Sequence, residues 1–249
     1  MQFLKSKTTP IITRKTATLI LLSALFLAMA PVSSHAHNLW IVGDANNNGD
    51  GAVNLYFAHF VGPGDGAYNG PIEQRGKTWV VNESGDTASI VMQSAGENDL
   101  KYLSGNTGKT PGSFAVDHAS LYGIYHGRLD FFYGRYIEAK SLKDLETLSE
   151  SQHLPFQIMP QWRDGRLLLK LQYFSKPLAR TKLAWVKADG TEEKFMTDSK
   201  GEVLFTPGEA GKYHFSSLAF ENEAAGAFEY KAFKGIMYAT TLTIKLPVE

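Results

Sequence analysis

The chain has no cysteine among its 249 residues. That excludes disulfides, zinc sites built on thiolates and lipid attachment at an N-terminal cysteine. Stability must then come from a sizeable apolar core. Any transition-metal site must be built from imidazole, carboxylate or amine. An excess of charge of one sign is lacking too, since 25 basic residues balance 25 acidic ones. Nothing in that balance gives an electrostatic footprint for nucleic acid. Absent as well are a G-x-S-x-G elbow, a Walker loop, an H-E-x-x-H helix and a dinucleotide fingerprint. The glycine-rich run 62–66 (GPGDG) is read as a plain loop, without the strand-to-helix setting of a phosphate loop. No apolar run reaches the ~20 residues of a bilayer span.

What is present begins with a leader. Residues 1–36 carry Lys5, Lys7, Arg14 and Lys15 and no acid. The apolar run 17–30 follows, closed by Pro31 and by Ser34 and Ala36 at small-x-small spacing. This is the layout of a secretory signal peptide, with cleavage expected after Ala36 and a mature chain starting at His37. The expected compartment is the periplasm, with no membrane span after cleavage. Without its four basic leader residues the chain carries four more acids than bases.

The remainder reads as all-β. Run 53–61 (VNLYFAHFV) is rich in aromatic and β-branched residues and follows the turn-rich 44–51 (DANNNGDG). Strand 37–43 is expected to pair with it as a hairpin. Asp44, Asn46, Asn48 and Gly49 match half of a calcium loop, but Leu55 stands where the closing glutamate belongs, and a polar turn is the simpler account. Residues 121–136 are crowded with Tyr and Phe. Only 141–151 (SLKDLETLSES) has helical spacing, with Leu142, Leu145 and Leu148 behind a Ser141 cap. From about 154 a rhythm of short strands and Asp-Gly-type turns sets in, as at Asp189-Gly190. The expected organisation is a signal peptide (1–36), an N-terminal β-sandwich-like domain (37–150) and an immunoglobulin- or prealbumin-like β-sandwich (151–249), joined by one short helix.

Three segments carry a resemblance: the start His37-Asn38-Leu39-Trp40, the run 154–160 (LPFQIMP), and Lys176-Pro177-Leu178-Ala179 through Thr197-Asp198-Ser199-Lys200-Gly201 to Gly211-Lys212-Tyr213. Together they resemble the exported bacterial DUF4198 family, often labelled as a periplasmic component of nickel or cobalt uptake. Members typically start the mature chain with His-Asp-Phe-Trp or similar, where this chain has Asn38. The resemblance implies a non-enzymatic periplasmic protein that handles a divalent transition metal, with nickel or cobalt ahead of copper or zinc. A membrane transporter is the implied partner.

Six histidines follow the leader: His37, His59, His118, His126, His153 and His214. At a mature N-terminus His37 offers its imidazole and an α-amine of reference pKa near 8. The hairpin register places His59 close to it. His126 precedes Gly127 in an exposed turn and is taken as the third candidate ligand, with His118 beside it as a further option. His153 and His214 are read as structural. Each candidate also has a plain account: a first ordered residue for His37, a core residue for His59, a surface residue for His126. Two other functions stay open. One is an envelope interaction module using the aromatic run 121–136. The other is a copper-brace redox enzyme.

Overall fold

The computed structural model describes residues 37–45, 51–108, 112–187 and 189–246. The leader, most of the calcium-type run and the last three residues lie outside them. Most of the described residues lie in strands, as the period-two patterns require. β1 (Asn38–Ala45) and β2 (Gly51–Ala58) form the expected hairpin. Helix α1 (Asn69–Arg75) leads into β3 (Lys77–Asn82), β4 (Thr87–Ile90), β5 (Gln93–Ala95) and β6 (Tyr102–Asn106). β7 (Phe114–Tyr125) and β8 (Arg128–Glu138) make a long hairpin before α2 (Leu142–Thr147). Then come β9 (Phe156–Arg163), β10 (Arg166–Tyr173), β11 (Lys176–Pro177), β12 (Lys182–Val186), β13 (Glu192–Met196), β14 (Glu202–Phe205), β15 (Lys212–Phe228) and β16 (Lys231–Lys245).

Three sheets result. The largest has eight strands in the order β13-β12-β15-β16-β8-β7-β3-β4. One smaller sheet runs β1-β2-β6-β5, and another is built on β10 with β9, β11 and β14. Alternation along the large sheet feeds two cores. Phe132 and Tyr136 of β8, with Met237 and Ala239 of β16, join Leu39, Ile41, Leu55 and Phe57. Tyr133 and Ile137, with Leu242 and Ile244, join Phe156, Ile158, Leu169 and Leu171. Side chains one residue apart point to opposite faces, so a strand serving two cores must be apolar at consecutive positions. Run 129–137 (LDFFYGRYI) has that character.

Two β-sandwiches therefore share one central sheet. β8 and β16 lie parallel, paired from Ile236↔Leu129 to Lys245↔Glu138. Position 150 falls between strands that become neighbours in space. The change of pattern near 154 marks the start of the second covering layer.

Close approach of the layers depends on small residues. A Cβ on Gly134 would come within 2.6 Å of Leu39 Cδ2, and one on Gly43 within 2.6 Å of the Tyr136 hydroxyl oxygen. β1 is an outer strand of its sheet, and two side chains occupy carbonyls there. Thr241 Oγ1 donates to the Leu39 oxygen, and Lys212 Nζ to the Gly43 oxygen at 2.9 Å. Such cover limits pairing with foreign strands.

α2 confirms the Ser141 cap, whose Oγ accepts from the Asp144 amide at 3.2 Å. α1 was not expected, and it means that run 62–66 does lead from a strand towards a helix. Its seven residues bury only Asn69 and Ile72, too little apolar periodicity to read from sequence. β15 and β16 run further than expected, as a ribbon whose turn holds Glu229 and Tyr230 at φ +49° and +64°. The Tyr230 side chain is fully exposed.

Candidate metal-binding site at His37 and His59

The hairpin register sets the site. Asn38 pairs with Ala58, so the next residues outward, His37 and His59, face each other at the open end of β1 and β2. Their ring centroids lie 4.1 Å apart, tilted by 37°. His37 also stacks on Phe57 at 5.4 Å and packs against Tyr68 at 5.0 Å. Phe57 continues inward to Tyr122 and Phe132 at 5.6 and 4.9 Å. The floor is thus aromatic and anchored in the core, while His59 lies exposed at the surface.

The surroundings of His37 favour its neutral form. Burial lowers its pKa, and the facing His59 lowers it further because two imidazolium ions would repel; Asp65 acts in the opposite sense. Neutral imidazole is the form that binds metal. Metal–nitrogen bonds of about 2.0–2.1 Å place the centroids of two ligating rings about 4.5–5 Å apart. At 4.1 Å the pair falls short of that spacing by roughly half an ångström to an ångström, so the rings must move apart to admit an ion.

No family model and no curated protein matches this chain. Among solved structures, a chain titled "Biofilm associated protein - BSP domain" is similar at 12% identity and a TM-score of 0.20. The match covers 80% of this chain, which spans about a quarter (27%) of that one.

The other histidines are placed elsewhere. His126 sits in the β7–β8 turn at φ +49°, with its ring 4.2 Å from Tyr125. Among the described residues no three His, Asp or Glu side chains gather closely enough to hold a metal. His126 accordingly does not complete a triad with His37 and His59. His118 is buried, with Nδ1 2.7 Å from Thr78 Oγ1, and burial pushes its pKa down to about 3. His214 is bonded to Thr243 and pushed down to about 4, chiefly by burial. His153 stacks on Trp79 at 4.4 Å. Both make their contacts within the fold, His214 with Thr243 and His153 with Trp79.

Phe57 and Tyr68 pack on His37, and Asp65 lies near enough to act on its charge, but none of the three carried a sequence signal as a site residue. The nearest cue was Asp65 and Tyr68 lying in the loop directly after the His59 strand.

The run 121–136 is mostly interior rather than a binding face. Phe132, Tyr133 and Tyr136 are buried, and Tyr125 is its exposed large aromatic. Among the described residues no helix is long and apolar enough to cross a membrane.

Proposed function

We propose that this is an exported, periplasmic metal-handling protein in which His37 and His59 take a divalent transition metal, nickel or cobalt ahead of copper or zinc. The observation that carries the reading is the 4.1 Å approach of the two imidazoles at an open strand end. Imidazole suits these metals. Two side-chain ligands on an accessible rim favour loading and release over permanent structural binding, which fits an accessory to a nickel or cobalt uptake transporter. If processing follows Ala36, the α-amine of His37 adds a nitrogen donor to the same ion. The test is calorimetric titration of the metal-stripped exported protein with nickel, cobalt, copper and zinc, alongside His59→Ala. Specific binding lost in the variant supports the reading; equal binding by both proteins removes it.

A second reading, an envelope interaction module, draws on the β15–β16 ribbon, where Phe220 and Tyr230 are exposed. Its test is capture of one partner by the chelator-treated protein, abolished by the Phe220→Ala, Tyr230→Ala double variant.

A further inference from the structure

Unpaired amides and carbonyls on an outer strand invite pairing with another strand, and charge, proline or a covering side chain discourages it. Most outer strands of this chain have such protection. β13 carries Glu192, Glu193 and Lys194, and β9 carries Pro160 and Arg163. β11 is Lys176-Pro177, and β14 begins with Glu202. β1 contains Asp44, and Thr241 and Lys212 occupy two of its carbonyls. β5 is uncharged, but Glu73 of α1 accepts from the Ser94 amide at 3.2 Å and from the Ser94 hydroxyl at 2.9 Å. β4, at one edge of the eight-stranded sheet, is the exception. Run 87–96 (TASIVMQSAG) holds no charge and no proline, and Thr87, Ala88 and Ser89 are exposed.

The turn before β4 shows which of its backbone groups point outward. The Asn82 amide donates to the Asp86 oxygen at 3.1 Å, so these two residues form a bonded pair. Bonded and non-bonded pairs alternate along an antiparallel ladder. Val81 lies opposite Thr87, and Trp79 opposite Ser89. Thr87 and Ser89 therefore fall at non-bonded positions and turn their N–H and C=O away from β3. Among the described residues no other backbone group caps them.

We infer that β4 is a docking edge for a second copy of this chain, pairing antiparallel with the same strand about a twofold axis at Ala88. Thr87 of each copy then lies opposite Ser89 of the other, and each such pair exchanges both backbone hydrogen bonds. Ala88 meets Ala88 on the axis, where a small side chain suits the close approach of a non-bonded pair. Val91, 76% exposed, falls opposite Gly85 of the other copy and gains cover there.

Charge favours a second copy as the occupant. The two ends of this edge differ in sign. Thr78 pairs with Ile90, which places exposed Lys77 at the Ile90 end, while Glu83 and Asp86 lie at the Thr87 end. Antiparallel self-pairing sets the basic end of each copy against the acidic end of the other. The contact is small, so the dimer is weak and forms at high concentration. It is independent of the histidine pair, which lies at the end of a different sheet.

The experiment is sedimentation velocity on the exported protein from low micromolar to millimolar concentration, in chelator so that no metal bridges two copies. Wild type is compared with Ser89→Pro, Ala88→Lys and Ala88→Glu, each shown to be folded by circular dichroism. Wild type is expected to pass from monomer to dimer. Ser89→Pro removes one outward N–H from each copy and should weaken the dimer by about tenfold or more. Ala88→Lys and Ala88→Glu each set like charges face to face and should stay monomeric where wild type pairs. An equimolar mixture of those two variants should pair again, which identifies Ala88 as the residue on the axis. Wild type that stays monomeric throughout overturns the inference and leaves the edge to an extended segment of another protein. A dimer that survives Ser89→Pro and Ala88→Lys unchanged overturns it as well, and a mixture that fails to pair overturns the axis at Ala88.

Discussion

Asp117 and Arg135 meet across β7 and β8 in the interior, with Nη1 2.7 Å from Oδ1 and neither side chain more than 2% exposed. The second Asp117 oxygen accepts from Ser151 Oγ at 2.6 Å, and Arg135 Nη2 donates to the carbonyls of Leu148 and Glu150 at 2.6 and 3.3 Å. The pair therefore fastens the stretch after α2 to the central sheet. Removing one partner strands a charge in a dry site. Asp117→Leu or Arg135→Met alone is expected to cost about 3–5 kcal/mol. The double variant Asp117→Leu, Arg135→Met should lose less than the sum of the two. Urea unfolding of all four proteins gives the coupling; additive losses would show that the pair is not coupled.

Acid should weaken the fold through its buried histidines. The folded-state pKa of His118 is about 3 and that of His214 about 4, against an ordinary 6.5. Below pH 6.5 the unfolded chain takes up protons that the folded chain refuses. Their contribution is complete above that pH and is lost as pH falls towards the folded values. The slope is about 1.4 kcal/mol per pH unit for each histidine fully in play. Urea midpoints from pH 7 to 4.5 should fall, and less steeply in His118→Gln.

Gly134→Ala places a methyl against Leu39 and Ile41, where the β1 layer closes on β8. Overpacking at such a contact costs about 1–3 kcal/mol. Gly165→Ala, in a turn with nothing within 4 Å of the added carbon, removes the packing effect and leaves only the cost of its φ of +73°. Thermal unfolding should rank Gly134→Ala as the more damaging of the two.

Arg75 holds the tip of the β15–β16 ribbon. Nη1 donates to the Tyr122 oxygen and Nη2 to Glu229 Oε1, both at 2.7 Å, and the guanidinium lies 5.4 Å from the centre of the Phe228 ring. Arg75→Ala should raise amide exchange across 221–234 while leaving the central strands protected. The Glu229 bond is exposed and worth little alone, so the Phe228 and Tyr122 contacts set most of the effect. Unchanged exchange in the ribbon would show that Arg75 does not restrain it.

The hairpin that brings His37 to His59 was legible because two β-forming runs flank one turn, and register then fixes which ends meet. Ser141 and Leu145 likewise announced α2. The shared sheet was not legible. Pairing of Leu129 with Ile236 is set by burial on both faces, and nothing local to either residue names the other. The ribbon was hidden because 221–228 (ENEAAGAF) is small and acidic rather than alternating apolar. Asp65 and Tyr68 looked like loop residues, and only the packing of Gly64 on Phe57 and Ala58 shows where that loop returns.

β16 follows every other strand in sequence, yet it is inserted between β15 and β8 near the middle of the largest sheet. Until residues 231–245 arrive, β8 lacks one neighbour and both cores lack Met237, Ala239, Leu242 and Ile244. The earlier part of the chain therefore has no complete structure to settle into. Assembly waits for a contact between segments about a hundred residues apart, which makes for slow folding. Any stretch of this chain that stops short of residue 231 lacks the strand that joins β15 to β8 and closes both cores.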